Sequence, residues 1–146
     1  GARIMGLDDP TKKMSKSDES GRGIIFLGDD PAVAAKKIMS ATTDSVGAVQ
    51  LDYENQPGIS NLLQILALLT GKSLDEVAKE HDGQTEYGTF KKEVAEAVQA
   101  FLIDFQAKLQ SVNEDELTEK IVASEAKMNE QANATLHKVQ KAVGLR

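Results

Sequence analysis

The chain has 146 residues, 40% of them hydrophobic, a formal net charge of −6 and no cysteine. That length fits one domain or a small pair with a buried core, and the lack of cysteine rules out a disulfide framework and a thiolate metal site. No apolar run reaches membrane length and no signal peptide is visible, which fits a soluble intracellular protein. An acidic balance excludes bulk attraction to nucleic acid.

In chain order, Arg3-Ile4-Met5-Gly6-Leu7 reads as the end of a strand, and Asp8-Asp9-Pro10 as a turn. Residues 8–23 form a polar loop punctuated by Pro10, Gly21 and Gly23, expected to be mobile and functional. Ile24-Ile25-Phe26-Leu27 is a second short run that could be extended. Asp30 and Pro31 then begin a helix, as N-cap and first helical residue, that runs to about Ala41. Residues 42–56 have no clear period and read as a connector.

From about Ile59 to Leu69 the chain is apolar nearly all round, the mark of a helix buried at the centre of its domain; Gly71 ends it. Ser73-Leu74-Asp75-Glu76 is a capping box opening a short helix that stops before Asp82-Gly83. Phe90, Val94, Val98, Phe101, Phe105 and Leu109 step by 4, 4, 3, 4 and 4, a long amphipathic helix. Asn113 with Glu116 starts another, in which Leu117, Ile121, Met128, Ala132, Leu136, Val139 and Val143 continue the spacing to Gly144. Both stripes are expected to be core positions. The fold class is therefore mainly α: a bundle of about five helices behind a short strand and a basic loop.

The loop carries the chemistry. Lys13-Met14-Ser15-Lys16-Ser17 holds two lysines, two serines and no acid. Ammonium groups, hydroxyls and backbone N–H groups can converge there on phosphate oxygens. Five fixed letters also match the second signature of the class I aminoacyl-tRNA synthetases. The stretch Gly1-Ala2-Arg3-Ile4-Met5 leading into Asp9–Asp18 resembles the bacterial tryptophanyl-tRNA synthetase family within that class. So do Ile25–Pro31, Thr43-Asp44-Ser45, Gly58–Leu63 and Tyr87–Ala95, and the likeness runs over essentially the whole chain. The tyrosyl-tRNA synthetases share the fold and a related loop but fit the later patches less well.

What the resemblance implies is specific. Lys13 and Lys16 would be catalytic, supplying charge to the triphosphate of ATP. Ser15 and Ser17 would hydrogen-bond phosphate or shape the loop, Met14 would pack as a hinge anchor, and Lys12 would add long-range charge. The Ile4 backbone would meet the adenine ring. Mg²⁺ would travel with ATP rather than sit in a protein cage. Members carry a nucleotide-binding domain with a His-x-Gly-His type motif, and the two histidines here, His81 and His137, form no such pattern. The expectation is the C-terminal part of such an enzyme, less than half of it and inactive alone. Residues 1–28 would be a remnant of the catalytic domain and residues 29–146 the helical anticodon-binding domain. The implied partners are tRNA(Trp), ATP and tryptophan, with a homodimer interface mostly outside this chain and a cytoplasmic location. The alternatives are a free-standing helical domain that binds RNA or protein, or part of a tyrosyl-tRNA synthetase.

Charge distribution adds one feature. Glu114, Asp115, Glu116, Glu119 and Glu125 face only Lys120 over residues 113–125, whereas Lys127, Lys138, Lys141 and Arg146 face only Glu130 beyond. The basic end suits either contact with RNA phosphates or complementation of a helix dipole. His81, between Glu80 and Asp82, reads as a surface histidine rather than a metal ligand. Asp29-Asp30 and Asp8-Asp9 are accounted for by the N-cap and the turn, and no nucleophile set can be argued.

Overall fold

The computed structural model describes Ala2–Asp18 and Ser20–Leu145; Gly1, Glu19 and Arg146, the last of which belongs to the basic end, lie outside the described residues. Five helices follow a polar front: α1 (Pro31–Met39), α2 (Pro57–Thr70), α3 (Leu74–His81), α4 (Tyr87–Gln110) and α5 (Glu114–Ala142). Among the described residues there is no named strand. The expected strand end contributes instead a single antiparallel bridge, Met5 to Lys13, because its only strand neighbour is the returning limb of its own loop. The run 24–27 forms no regular element.

The chain divides into two compact units, Gly1–Ala107 and Lys108–Arg146. The first is organised around α2. Ile59, Leu62, Leu63 and Leu66 are at most 2% exposed and pack with Ile38, Val49, Val77, Phe90 and Val94. Each such side chain contributes roughly 1.5–3 kcal/mol by leaving water. Leu68 is the exception on α2, exposed on its outer face. Helix ends follow their local chemistry. Asp30 accepts from the N–H groups of Ala32 (2.8 Å) and Val33 (3.1 Å). Gly71 closes α2 in the left-handed conformation at φ 71°, a region open to glycine at little cost. Ser73 and Glu76 cap α3 reciprocally.

The connector 42–56 is held by polar bonds rather than by a period. Tyr87 at the start of α4 donates its hydroxyl to Asp44 Oδ1 at 2.6 Å. Buried Gln56 donates to Tyr87 Oη (2.8 Å) and to the Ala48 carbonyl (2.8 Å). Burial works against the Asp44 carboxylate, but the Tyr87 hydroxyl and the Val46 N–H outweigh it and hold its pKa below the ordinary value. Gly58, at the head of α2, lies against the same connector: a Cβ there would sit 2.2 Å from the Thr42 carbonyl oxygen.

Two expectations fail. His81 is buried, not on the surface. Its Nδ1 lies 2.9 Å from the Val77 carbonyl, its Nε2 is 3.0 Å from Glu93 Oε2, and its ring packs on Phe90 at 5.1 Å. The charged residues beside it in sequence point elsewhere, since successive helical positions do not share a face. The second failure is the distal stripe. Phe90, Val94 and Val98 are core, but Phe101 and Leu109 are exposed, and no residue of α5 is buried. The second unit contains one long helix and the last residues of α4. Among the described residues it has no further layer of its own against which Leu117, Ile121, Met128, Leu136 and Val139 can be buried.

Candidate phosphate-binding loop

The loop is built on a two-strand stub. Gly6 N–H donates to the Lys12 carbonyl (2.8 Å) and Met14 N–H to the Ile4 carbonyl (2.9 Å), flanking the Met5–Lys13 bridge. Two turns continue from it, each organised by an aspartate. Asp9 accepts from the Thr11 N–H (3.1 Å) and pairs with Lys12 Nζ at 2.8 Å. The Lys12 ammonium, then the Thr11 hydroxyl and N–H, hold its carboxyl down at about 2. Asp18 accepts from the Ser20 hydroxyl (2.8 Å) and N–H (3.0 Å) and from the Gly23 N–H (2.9 Å). The Ser20 hydroxyl first, then Gly23, lowers its pKa. At Gly23 a Cβ would lie 2.1 Å from Asp8 Oδ1 and 2.9 Å from Asp18 Oδ2, so a side chain there would displace both carboxylates.

These bonds separate the lysines. Lys12 is committed to Asp9. Lys13 and Lys16 are exposed, and among the described residues neither ammonium has a partner. Among the loop's lysines they are the two without an ion pair to a described residue. The serines between them are arranged already: Ser15 Oγ and Ser17 Oγ are 2.8 Å apart, and the Asp18 N–H donates to the Ser15 carbonyl (3.1 Å). Met14 is half-buried and packs on the core, giving the loop an apolar anchor within residues 8–23.

A cleft of about 270 Å³ opens on the loop and brings together Lys13, Met14, Ser15 and Ser17 with Gly6 and Gly23. Lys16 does not line it. Ile4 faces a separate apolar groove of about 190 Å³, shared with Met14, Ile25, Leu69 and Phe101. Asp8, Asp9 and Asp18 also line the cleft. Sequence reading placed the first two in a turn and gave Asp18 no role; the recurring Asp-x-Ser/Thr spacing is the signal of such side-chain turns. Among the described residues no group of three His, Cys, Asp or Glu is placed to hold a metal, and no helix is long and apolar enough to cross a membrane.

A second residue that sequence reading gave no role is Asn61. Its Oδ1 accepts from the Met5 N–H (2.8 Å) and its Nδ2 donates to the Met5 carbonyl (3.0 Å). Thr42 secures the next residues, its N–H donating to the Leu7 carbonyl (2.7 Å) and its hydroxyl to the Asp8 carbonyl (2.8 Å).

Comparison with known proteins places the whole chain in one family. The chain is 46% identical over 146 residues to the tryptophan–tRNA ligase of Malacoplasma penetrans, covering 99% of this chain and 43% of that protein. With the same enzyme of Oceanobacillus iheyensis it is 47% identical, covering 99% and 44%. The crystal structure of tryptophanyl-tRNA synthetase from Mycoplasma pneumoniae superposes with a TM-score of 0.85 at 31% identity, over 99% of this chain and 45% of that one. The chain thus spans less than half the length of these relatives. The sequence profile described as tRNA synthetases class I (W and Y) matches residues 2–103, the stretch that holds the loop, α1–α3 and most of α4; the chain belongs to that family of class I tRNA synthetases.

Proposed function

We propose that this chain supplies the phosphate loop and the helical part of a tryptophan–tRNA ligase, which activates tryptophan with ATP and transfers it to tRNA(Trp). The observation that carries the reading is the division of labour among the lysines. Lys12 pairs with Asp9, while Lys13 and Lys16 stand exposed with no ion-pair partner among the described residues. Activation is attack of a carboxylate on the α-phosphorus of ATP, with pyrophosphate leaving. Negative charge grows on the bridging oxygen and on pyrophosphate. Cations that meet those oxygens better in the transition state than in the ground state accelerate the step.

In this proposal Lys13 and Lys16 are the catalytic cations, Ser15 and Ser17 donate to phosphate oxygens, and Met14 anchors the loop. The Ile4 backbone meets the adenine ring, beside the groove that Ile4 and Met14 line. Mg²⁺ arrives with the triphosphate. Residues 1–28 belong with the catalytic domain and residues 29–146 with the anticodon-binding domain of a cytoplasmic homodimer that pairs mainly outside this chain.

In the full-length protein, Lys13→Ala or Lys16→Ala should lower tryptophan-dependent ATP–pyrophosphate exchange by about 10²–10³, the effect of removing one preorganised charge donor. Tryptophan binding should change little, and the 146-residue chain alone should give no exchange, because the reacting groups have lost their preorganised neighbours. Parental rates in both lysine variants, or exchange with tyrosine in place of tryptophan, would refute the reading.

A further inference from the structure

We propose that Asn61 is a positioning residue for the phosphate loop: its carboxamide stands in for a third strand beside Met5 and holds the register from which Lys13 and Lys16 project. The inference deepens the proposed function and rests on it.

The hydrogen-bond pattern of the stub carries the argument. Gly6 N–H to Lys12 and Met14 N–H to Ile4 make Met5 and Lys13 a non-hydrogen-bonded pair. The N–H and C=O of Met5 therefore point away from Lys13, toward the opposite edge. In a sheet a neighbouring strand would take both groups. Here the Asn61 side chain takes both, at 2.8 and 3.0 Å. One carboxamide presents a donor and an acceptor with the spacing of a peptide group, so it satisfies Met5 as a strand would.

The placement of Asn61 is otherwise unexplained. It lies on α2 between Ser60 and Leu62, only 2% exposed, on a helix whose neighbouring inward positions are Ile59, Leu62 and Leu63. A buried amide is costly unless it is bonded. Its side-chain hydrogen bonds both go to Met5, 56 residues away.

Register is what the pairing protects. A stub of one bridge has little of its own to prevent sliding, and a slip of one residue turns every side chain to the other face. Such a slip would exchange the position of Lys13 with that of Lys12, the lysine tied to Asp9. Thr42 closes the remaining freedom by bonding the carbonyls of Leu7 and Asp8.

The test uses Asn61→Leu and Asn61→Asp beside Lys13→Ala in the full-length protein. Asn61→Leu should lower kcat of pyrophosphate exchange by about 10²-fold, the cost of a misplacement near 1 Å, with KM for tryptophan within about twofold of the parent. Asn61→Asp should be slow at neutral pH, where one carboxylate oxygen still accepts from the Met5 N–H but the other faces the Met5 carbonyl with no proton to donate. It should recover as pH falls and the buried carboxyl protonates, because a protonated acid again offers one donor and one acceptor. Asn61→Leu and the parent should show no such recovery. In the 146-residue chain, amide exchange at Met5 and Met14 should quicken at least about tenfold in Asn61→Asp at neutral pH, with α2 and α4 unchanged.

Parental kcat in Asn61→Leu, a parental pH profile in Asn61→Asp, or unchanged Met14 protection would overturn the positioning role. Should Asn61→Leu not fold, the pH profile and amide exchange of Asn61→Asp decide it. Lys13→Ala with a parental rate would sink the proposed function instead, and the Met5 and Met14 amides would still report on the register.

Discussion

α2 is apolar on nearly every face and α5 carries an apolar stripe at helical spacing, and the two are held by different forces. α2 has 14 residues and buries nine of them; α5 has 29 and buries none. The first is stabilised by what surrounds it. The second relies on local terms: Asn113 accepts from the N–H groups of Asp115 (2.9 Å) and Glu116 (3.3 Å), three acids occupy the first turn, and Lys141 occupies the last. Those terms contribute about 1 kcal/mol for the cap and a few tenths to about 1 for each end charge. The two turns of the lysine loop resemble α5 in this respect, since Asp9 and Asp18 shape them through bonds to their own neighbours, although Met14 anchors the loop on the core. A periodic pattern thus identifies a helix face without saying what, if anything, covers it.

The sharpest break of this comparison is a pair of truncations. Phe90 is wholly buried against the α2 core and His81, whereas Ile121 on α5 is 56% exposed. Phe90→Ala should cost about 3–5 kcal/mol in urea unfolding. Ile121→Ala should stay within about 0.5 kcal/mol. A comparable loss in the two variants would mean that the α5 stripe is covered after all, and that the two helices are held alike.

Legibility followed the same line. The Asp30 cap, the Ser73–Glu76 box, the glycine stop at Gly71 and the Asn113 cap were readable because each is complete within four residues of sequence. The α2 core was readable because it is apolar on nearly every face. What was not readable lies in pairings across the chain. Asn61 meets Met5 across 56 positions, and Tyr87 meets Asp44 across 43. His81 finds Glu93 one helix later and disappears into the core. In the loop, the five-letter signature named Lys13 and Lys16 but did not show that the preceding Lys12 is tied to Asp9 by the turn that Asp9 closes.

No residue of α5 is buried, and its basic end gives the next prediction. Lys138 and Lys141 are exposed on α5 and no ion pair of theirs occurs among the described residues. If this end of α5 contacts tRNA phosphates, Lys138→Ala with Lys141→Ala should weaken tRNA binding and flatten the slope of log K against log salt by roughly 2. The fold should be unaffected, since neither side chain is buried. Unchanged affinity at low salt would take this end of α5 out of the footprint and leave the lysines as complements of the helix dipole.

The smallest effect sharpens the comparison within the first unit, between the loop's turns and the core behind them. Asp9 is held at about 2, first by Lys12 and then by Thr11, and Asp18 is lowered by Ser20 and Gly23. A carboxyl depressed in the folded state stabilises it above the unfolded pKa and ceases to do so as pH falls through the folded one. For Asp9 the contribution is complete above about pH 4 and fades toward pH 2. Both residues are only partly buried, so solvent screens the pairing and the effect on global stability is small. The loop should nevertheless register it directly. Between pH 5 and 2, the amide resonances of Thr11, Ser20 and Gly23, the donors to these carboxylates, should move with the titration. Asp9→Asn should abolish the shift at Thr11 alone. The amides of Leu62 and Leu63, which are at most 1% exposed on α2, should keep their protection until the global transition. Loss of that protection together with the loop turns would show that turns and core unfold as one, and that the loop is not held by its own bonds.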